Sequence, residues 1–232
     1  MRHLIVPMLI GLLPLSAPAE TAEEKGLAII QEVDRRDTGW TDAKADMRMT
    51  LRNKQGEESE RSLRIDSLEV EGDGDKSLSV FDSPKDIKGT AFLSYTHALT
   101  PDDQWLYLPA LKKTKRIASG DKRGSFMGSD FSYSDMTERE LDLYDYELLQ
   151  EDEVDGQPVW IVQAIPNHEK EIEETGYTRS IYFVRKDNDV VIRAKSWVKK
   201  GARNKYMDVK KLEKIDGIWV PTEIHMTTKI GR

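Results

Sequence analysis

Cysteine is missing altogether from these 232 residues. No disulfide framework can staple the fold, no thiolate can serve as nucleophile or metal ligand, and no cysteine follows the leader to carry a lipid. Histidine is scarce, and beyond the first 19 positions only His97, His168 and His225 remain. No HExxH, P-loop or GxGxxG pattern occurs, and residues 124–128 place Phe126 where a hydrolase elbow needs serine. Positive charge is also in deficit. The 35 Lys and Arg against 42 Asp and Glu leave a net charge of −7, the wrong sign for general nucleic-acid binding, which needs a basic field to release counterions. Internal repeats and low-complexity tracts are absent as well. Carboxylates are so abundant that no pair of them is informative. The run His168, Glu169, Glu171, Glu173 and Glu174 lacks the glycine turn and defined oxygen offsets of a calcium loop, so a solvated acidic loop between two strands is expected there. The chain is therefore read as non-enzymatic, with no metal and no cofactor.

Long hydrophobic runs are lacking too, except at the start. Residues 1–19 have a short basic opening (Arg2, His3), an apolar stretch from Leu4 to Leu15 broken by Pro7, Gly11 and Pro14, and then "SAPA". Such a run is too short to span ~30 Å of hydrocarbon. It matches a cleavable secretory signal with Ala17 and Ala19 at the recognition positions. An exported, cysteine-free, unlipidated product implies the periplasm. Residues 20–232 are enough for one domain with a substantial core and short for two.

What is present reads mainly as strands. "TAEEKGLAIIQEVDRRD" spaces Leu27, Ile30 and Val33 as on a helix, and Thr21 with Glu24 forms a capping box. From Trp40 the period changes to two: Ala45, Met47, Met49 and Leu51 alternate with charged or polar residues, and Leu63 shares a face with Ile65. "KSLSVFD", "TAFLSY" and "DQWLYLP" are further short strands, "TERELDLY" is a candidate short helix, and the remainder is a meander turning at Asp155-Gly156, Asp187 to Asp189 and Asp216-Gly217. Many regular strands behind one early helix predict an antiparallel sheet, which must curl or be covered to hide its apolar face.

The central segment "DDQWLYLPALKKTKRIASGDKRGSFMGSDFSYSDM" is the most informative. Lys112, Lys113, Lys115, Arg116, Lys122 and Arg123 gather six basic residues in the middle of an acidic chain. Two readings stand side by side: a charged edge strand that discourages aggregation, and a patch for an anionic head group or an acidic partner. The loop that follows is hinged by Gly120, Gly124 and Gly128 and carries Phe126, Met127, Phe131 and Tyr133. A loop of ~15 residues inside a compact domain is usually functional or disordered. This one is either a plug filling the open end of a sheet or a lid over a hydrophobic cavity.

At these residues the chain resembles a known family. "DDQWLYLPALKKTKRI" followed by "GSFMGSDFSYSDM" is similar to the signature region of the outer-membrane lipoprotein-sorting proteins, the LolA-like periplasmic carriers. The likeness is greatest to the branch found beside transporters of the resistance-nodulation-division type. The resemblance implies an incomplete antiparallel β-barrel, with an N-terminal helix and short helices or loops covering its concave face. It implies an apolar interior that receives acyl chains of lipoproteins or other lipids, an inner-membrane transporter as partner, transient contact with a membrane surface and no catalytic residue. Relatives of this branch continue into a further strand or two, so a strand beyond "MTTKIGR" is part of the expectation.

Alternation then assigns the lining of the half-barrel. Met47, Met49, Leu51, Leu63 and Ile65 are expected from the early strands. Trp105 and Tyr107 are expected from the central strand, and Ile181, Phe183 and Trp197 from the late ones. A slip of one residue reverses any strand's face. The loop and the first helix are expected to occupy the cavity until cargo displaces them. The rival functions are a non-catalytic adaptor of the transporter whose interior is filled by its own side chains, and a hydrolase built on one of the three histidines.

Overall fold

The computed structural model describes residues 19–97, 100–199 and 203–230, so all of the predicted signal segment except Ala19 lies outside the described residues. Thr21 caps the first helix, α1 (Ala22–Arg36). Its backbone N–H donates to the Glu24 carboxylate at 2.8 Å, and its hydroxyl accepts from Glu24 N at 3.1 Å, the reciprocal arrangement that satisfies two otherwise free donors. Glu23 and Glu24 in the first turn and Arg35 and Arg36 in the last complement the helix dipole. The face of α1 that carries Gly26 and Ile30 is buried.

Strands follow in two antiparallel meanders of six. The first sheet runs in chain order through β1 (Asp42–Arg52), β2 (Glu58–Leu68), β3 (Lys76–Ser83), β4 (Ala91–Tyr95), β5 (Asp103–Leu108) and β6 (Lys113–Arg116). The second runs through β7 (Tyr144–Val154), β8 (Gln157–Pro166), β9 (Tyr177–Arg185), β10 (Val191–Val198), β11 (Arg203–Ile215) and β12 (Ile218–Ile230). Together they form the expected incomplete antiparallel barrel, divided into two sheets. Two of the hairpins turn where the sequence places aspartate before glycine. Asp155 and Gly156 have φ of 51° and 78°, and Asp216 and Gly217 have 48° and 93°, the left-handed pair that matches strand twist in a two-residue hairpin.

Two local expectations fail. "TERELDLY" forms only a single 3-10 turn, Leu141–Leu143. The supposed acidic loop at 168–174 is instead a short helix, α2 (Glu169–Thr175). His168 supplies its N-cap by accepting from Lys170 N, and Gly176 at φ 79° ends it.

The interior of each sheet has its own cover. On the first, Leu63, Phe81, Phe92, Leu106 and Ile117 enclose Phe126 of the central loop. The Phe126 ring stands 5.3 Å from that of Phe92 and 5.5 Å from that of Tyr133, both edge-on. On the second, Ile30 of α1 packs on Tyr144, Tyr146, Val162, Ala164, Tyr182 and Val184. A Cβ on Gly26 would lie 2.7 Å from the backbone nitrogens of Glu147 and Leu148, so only glycine lets the helix sit this close to β7.

Candidate functional site: a cavity on the second sheet

The α1 cover stops short of the far strands, and a cavity of about 690 Å³ opens there. Its floor comes from one face of β9 to β12: Tyr182, Ala194, Ser196, Met207, Ile224 and Met226. The register explains the set, since Ala194 pairs with Tyr182 on one side and Met207 on the other, and Met207 pairs with Met226. Side chains directly across a ladder share a face. Phe131 and the chain from Ser134 to Leu143 form one wall, and His168 to Thr175 of the α2 segment form the other.

Both walls are fastened by buried charge. Asp135 accepts from Ser132 N, Ser132 Oγ and Tyr177 OH, each at 2.7 Å, and from Lys205 Nζ at 3.0 Å. Burial alone would raise its pKa, but the Lys205 charge and these hydrogen bonds hold it below the ordinary aspartate value. Lys122, only 1 % exposed, pairs with Glu174 of α2, and the Tyr144 hydroxyl donates to Glu171. Arg139 lies over the rings of Tyr144 and Tyr182, at 5.2 and 5.1 Å from their centres. At the rim, Glu138 is pushed up to about 8 by burial and by the carboxyl group of Asp75. Burial, followed by the charges of Asp102 and Asp142, pushes Glu140 up to about 7. The cavity thus has an apolar floor and a charged mouth.

Of the lining residues expected from sequence, Phe131 alone borders this cavity. Leu63 is in the core of the first sheet, with Met49, Ile65, Met127 and Tyr133 packed against it. Leu51 is half-buried and Met47 is 43 % exposed. Trp105 and Tyr107 are on the reverse of that sheet, because Leu106 between them points into the core, and Trp105 stacks edge-on with Tyr95 at 5.5 Å. Ile181, Phe183 and Trp197 likewise join a separate cluster with Val159 and Ile161, on the face of the second sheet opposite to Tyr182 and Ala194. Trp105, Tyr107, Ile181, Phe183 and Trp197 thus all lie on faces turned away from the Phe126 and Ile30 cores. "EIHMTT" did carry the right signal, as Ile224 and Met226 alternate with Glu223, His225 and Thr227.

The basic run divides similarly. Lys112, Lys113, Lys115 and Arg123 are exposed, Arg116 is bound to Asp103, and Lys122 is consumed by its buried pair. The histidines are dispersed: His97 contacts Asp73 at 3.0 Å, His168 caps α2, and His225 contacts Glu223 at 2.8 Å. Among the described residues, no group of three or more His, Asp or Glu could hold a metal ion, and no helix is long and apolar enough to cross a membrane.

An incomplete antiparallel barrel, helix-covered and with a cavity on its concave side, defines a protein of the LolA-like class. A solved domain from Vibrio parahaemolyticus described as an outer membrane lipoprotein-sorting protein is similar at 42% identity, over 89% of this chain and 86% of that one, with a TM-score of 0.83. A DUF1329 family protein from Desulfovibrio piger is 33% identical over 90% of this chain and 87% of that one, also with a TM-score of 0.83. The chain belongs to the family of these proteins, the lipoprotein-sorting-type proteins with a LolA-like fold. A LolA superfamily protein from Nitrosomonas europaea shares the fold at 16% identity, covering 90% of this chain and 86% of that one, with a TM-score of 0.65. A family model described as "Uncharacterized protein" matches residues 73–231. No curated protein matches the chain.

Proposed function

We propose that the protein is a periplasmic carrier that receives an acyl chain of a lipoprotein or another lipid in the cavity of the second sheet. It would move that cargo between inner and outer membrane in partnership with an inner-membrane transporter, of the resistance-nodulation-division type in this branch. The observation that carries the reading is the cavity floor. Ile224 is exposed and Met207 and Met226 are half-buried where they line it, and each acyl methylene buried there is stabilised by ~0.8 kcal/mol relative to water. Methionine suits chains of variable shape, since its thioether adapts to them. The description of the Vibrio parahaemolyticus relative points the same way.

The loop at 124–136 takes a different part from that of a lid which cargo expels whole. Phe126 is 2 % exposed within the first-sheet core and Asp135 is bound by four hydrogen bonds. Cargo is therefore assigned to the uncovered space beside Phe131.

A non-catalytic adaptor of the transporter is the second reading, and the filled interior of the first sheet favours it. Native mass spectrometry of the gently purified protein, with extraction and identification of ligands, separates the two. A copurifying lipid or acylated peptide supports the carrier. A clean apoprotein that also refuses a fluorescent fatty acid moves the assignment to the adaptor.

A further inference from the structure

The hairpin between β5 and β6 turns over Pro109–Leu111, a single 3-10 turn closed by Lys112 at φ 49°. Leu111 on this turn is 63 % exposed. Single exposed apolar residues are ordinary, but this one has a particular setting. Ala110, Lys112, Lys113 and Lys115 around it are exposed too. The loop 84–89 lies alongside, since a Cβ on Gly89 would stand 3.8 Å from the Pro109 ring, and it adds exposed Lys85 and Lys88. Among the described residues none of these five lysines belongs to an ion pair, whereas neighbouring Arg116 and Arg64 are held by Asp103 and Asp82. Asp86 is the one acid in the two loops. An acidic chain therefore gathers five unpaired cations around an exposed leucine at one end of its first sheet.

Protection of an edge strand accounts for Lys113 and Lys115 on β6. It does not account for Leu111, nor for Lys85 and Lys88, which lie outside any strand. An acidic protein partner would satisfy the lysines, yet a protruding leucine in that contact needs a matching pocket, whereas a bilayer interface accepts it anywhere. We propose that this end of the first sheet docks on an anionic lipid surface, with Leu111 entering the interface and the lysines lying against head-group phosphates. Neither loop lines the cavity, so docking and cargo binding are separable.

Sedimentation of the protein with vesicles of phosphatidylcholine, with or without phosphatidylglycerol, tests this. Binding is expected only to the anionic vesicles and should weaken as salt screens the charges. Lys112→Glu, Lys113→Glu and Lys115→Glu combined should weaken it at least about tenfold, and Leu111→Asp about fivefold or more. A Leu111→Trp variant should show blue-shifted emission, relative to the wild-type spectrum, with anionic vesicles. Equal binding to both vesicle types, no binding to either, full binding by Leu111→Asp, or an emission of the Leu111→Trp variant that does not move would each overturn the proposal. Uptake of a fluorescent fatty acid in solution should be unchanged in these variants. Its absence from the wild type would sink the carrier reading and leave this one standing.

Discussion

Lys122 and Asp135 show how individual charges in the central segment act as fasteners. Removing one partner of a buried pair strands the other, at a cost of about 3–5 kcal/mol. Lys122→Met should therefore lower stability by that order in chemical denaturation, while Lys122→Met combined with Glu174→Leu should recover most of the loss. A single variant as stable as wild type would show that the pair holds nothing. The rim carboxyls predict a pH dependence of definite sign. Glu138 and Glu140, at about 8 and about 7, bind protons more tightly when folded than in the unfolded chain, where glutamate titrates near ~4.3. Their stabilising contribution is complete below that unfolded value and is lost as pH rises through 7 to 8. Unfolding free energy should fall between pH 5 and pH 8, by at most about 1.4 kcal/mol per pH unit for each group and less where the side chain reaches solvent, and the melting temperature should fall with it. Glu138→Gln should flatten the slope. Asp135 has the opposite sign and acts only in the acid range, so it does not disturb this window. A stability that is level or rising from pH 5 to 8 would contradict the assignment.

Helix α1 and the central loop do the same job by different means, each covering one sheet. For α1 the close approach at Gly26 decides the fit. Gly→Ala in a helix normally stabilises by up to ~1 kcal/mol, but here the new Cβ would meet backbone of β7 at 2.7 Å. Gly26→Ala should instead destabilise by about 1–3 kcal/mol as the helix is forced outward, and a raised melting temperature would refute the close packing. In the loop, Phe126→Ala should cost about 3–5 kcal/mol, as for any large core side chain. Phe131→Asp, at a half-buried position packed against that core, should cost less, about 1–2 kcal/mol, and lower acyl uptake. Equal effects of the two substitutions on stability would mean that the loop is a single plug.

At the scale of the whole molecule, the two sheets differ in what they leave uncovered. The first is closed by its loop, whereas the second, among the described residues, borders a cavity of about 690 Å³. Ile224→Asp with Met226→Asp should weaken fatty-acid binding about ten- to a hundredfold, given ~1.5–3 kcal/mol for a fully buried apolar side chain. Met47→Asp on the first sheet and Trp105→Asp on its reverse should leave binding unchanged. The opposite ranking would move the cargo to the first sheet.

Elements that depend on neighbours along the chain were readable before any folding was known. The Thr21 capping box, the Asp-Gly hairpins and the two-residue period from β1 onward are local physics, and the family motif at 102–136 was legible for the same reason that it is contiguous. The phase of each strand that faces inward depends instead on contacts between distant segments. In "RSIYFVR" and "QWLYL" both phases carry bulky apolar residues, so alternation could not choose between Ile181 and Tyr182, or between Trp105 and Leu106. Packing chose Tyr182 because it shares with Tyr144 and Tyr146 the face on which Ile30 of α1 packs, and Leu106 because Phe126 packs on it. The division of six basic residues into a buried fastener, a paired arginine and a solvated tip was also beyond the sequence. The partners Glu174 and Asp103 reach Lys122 and Arg116 only through the folded chain.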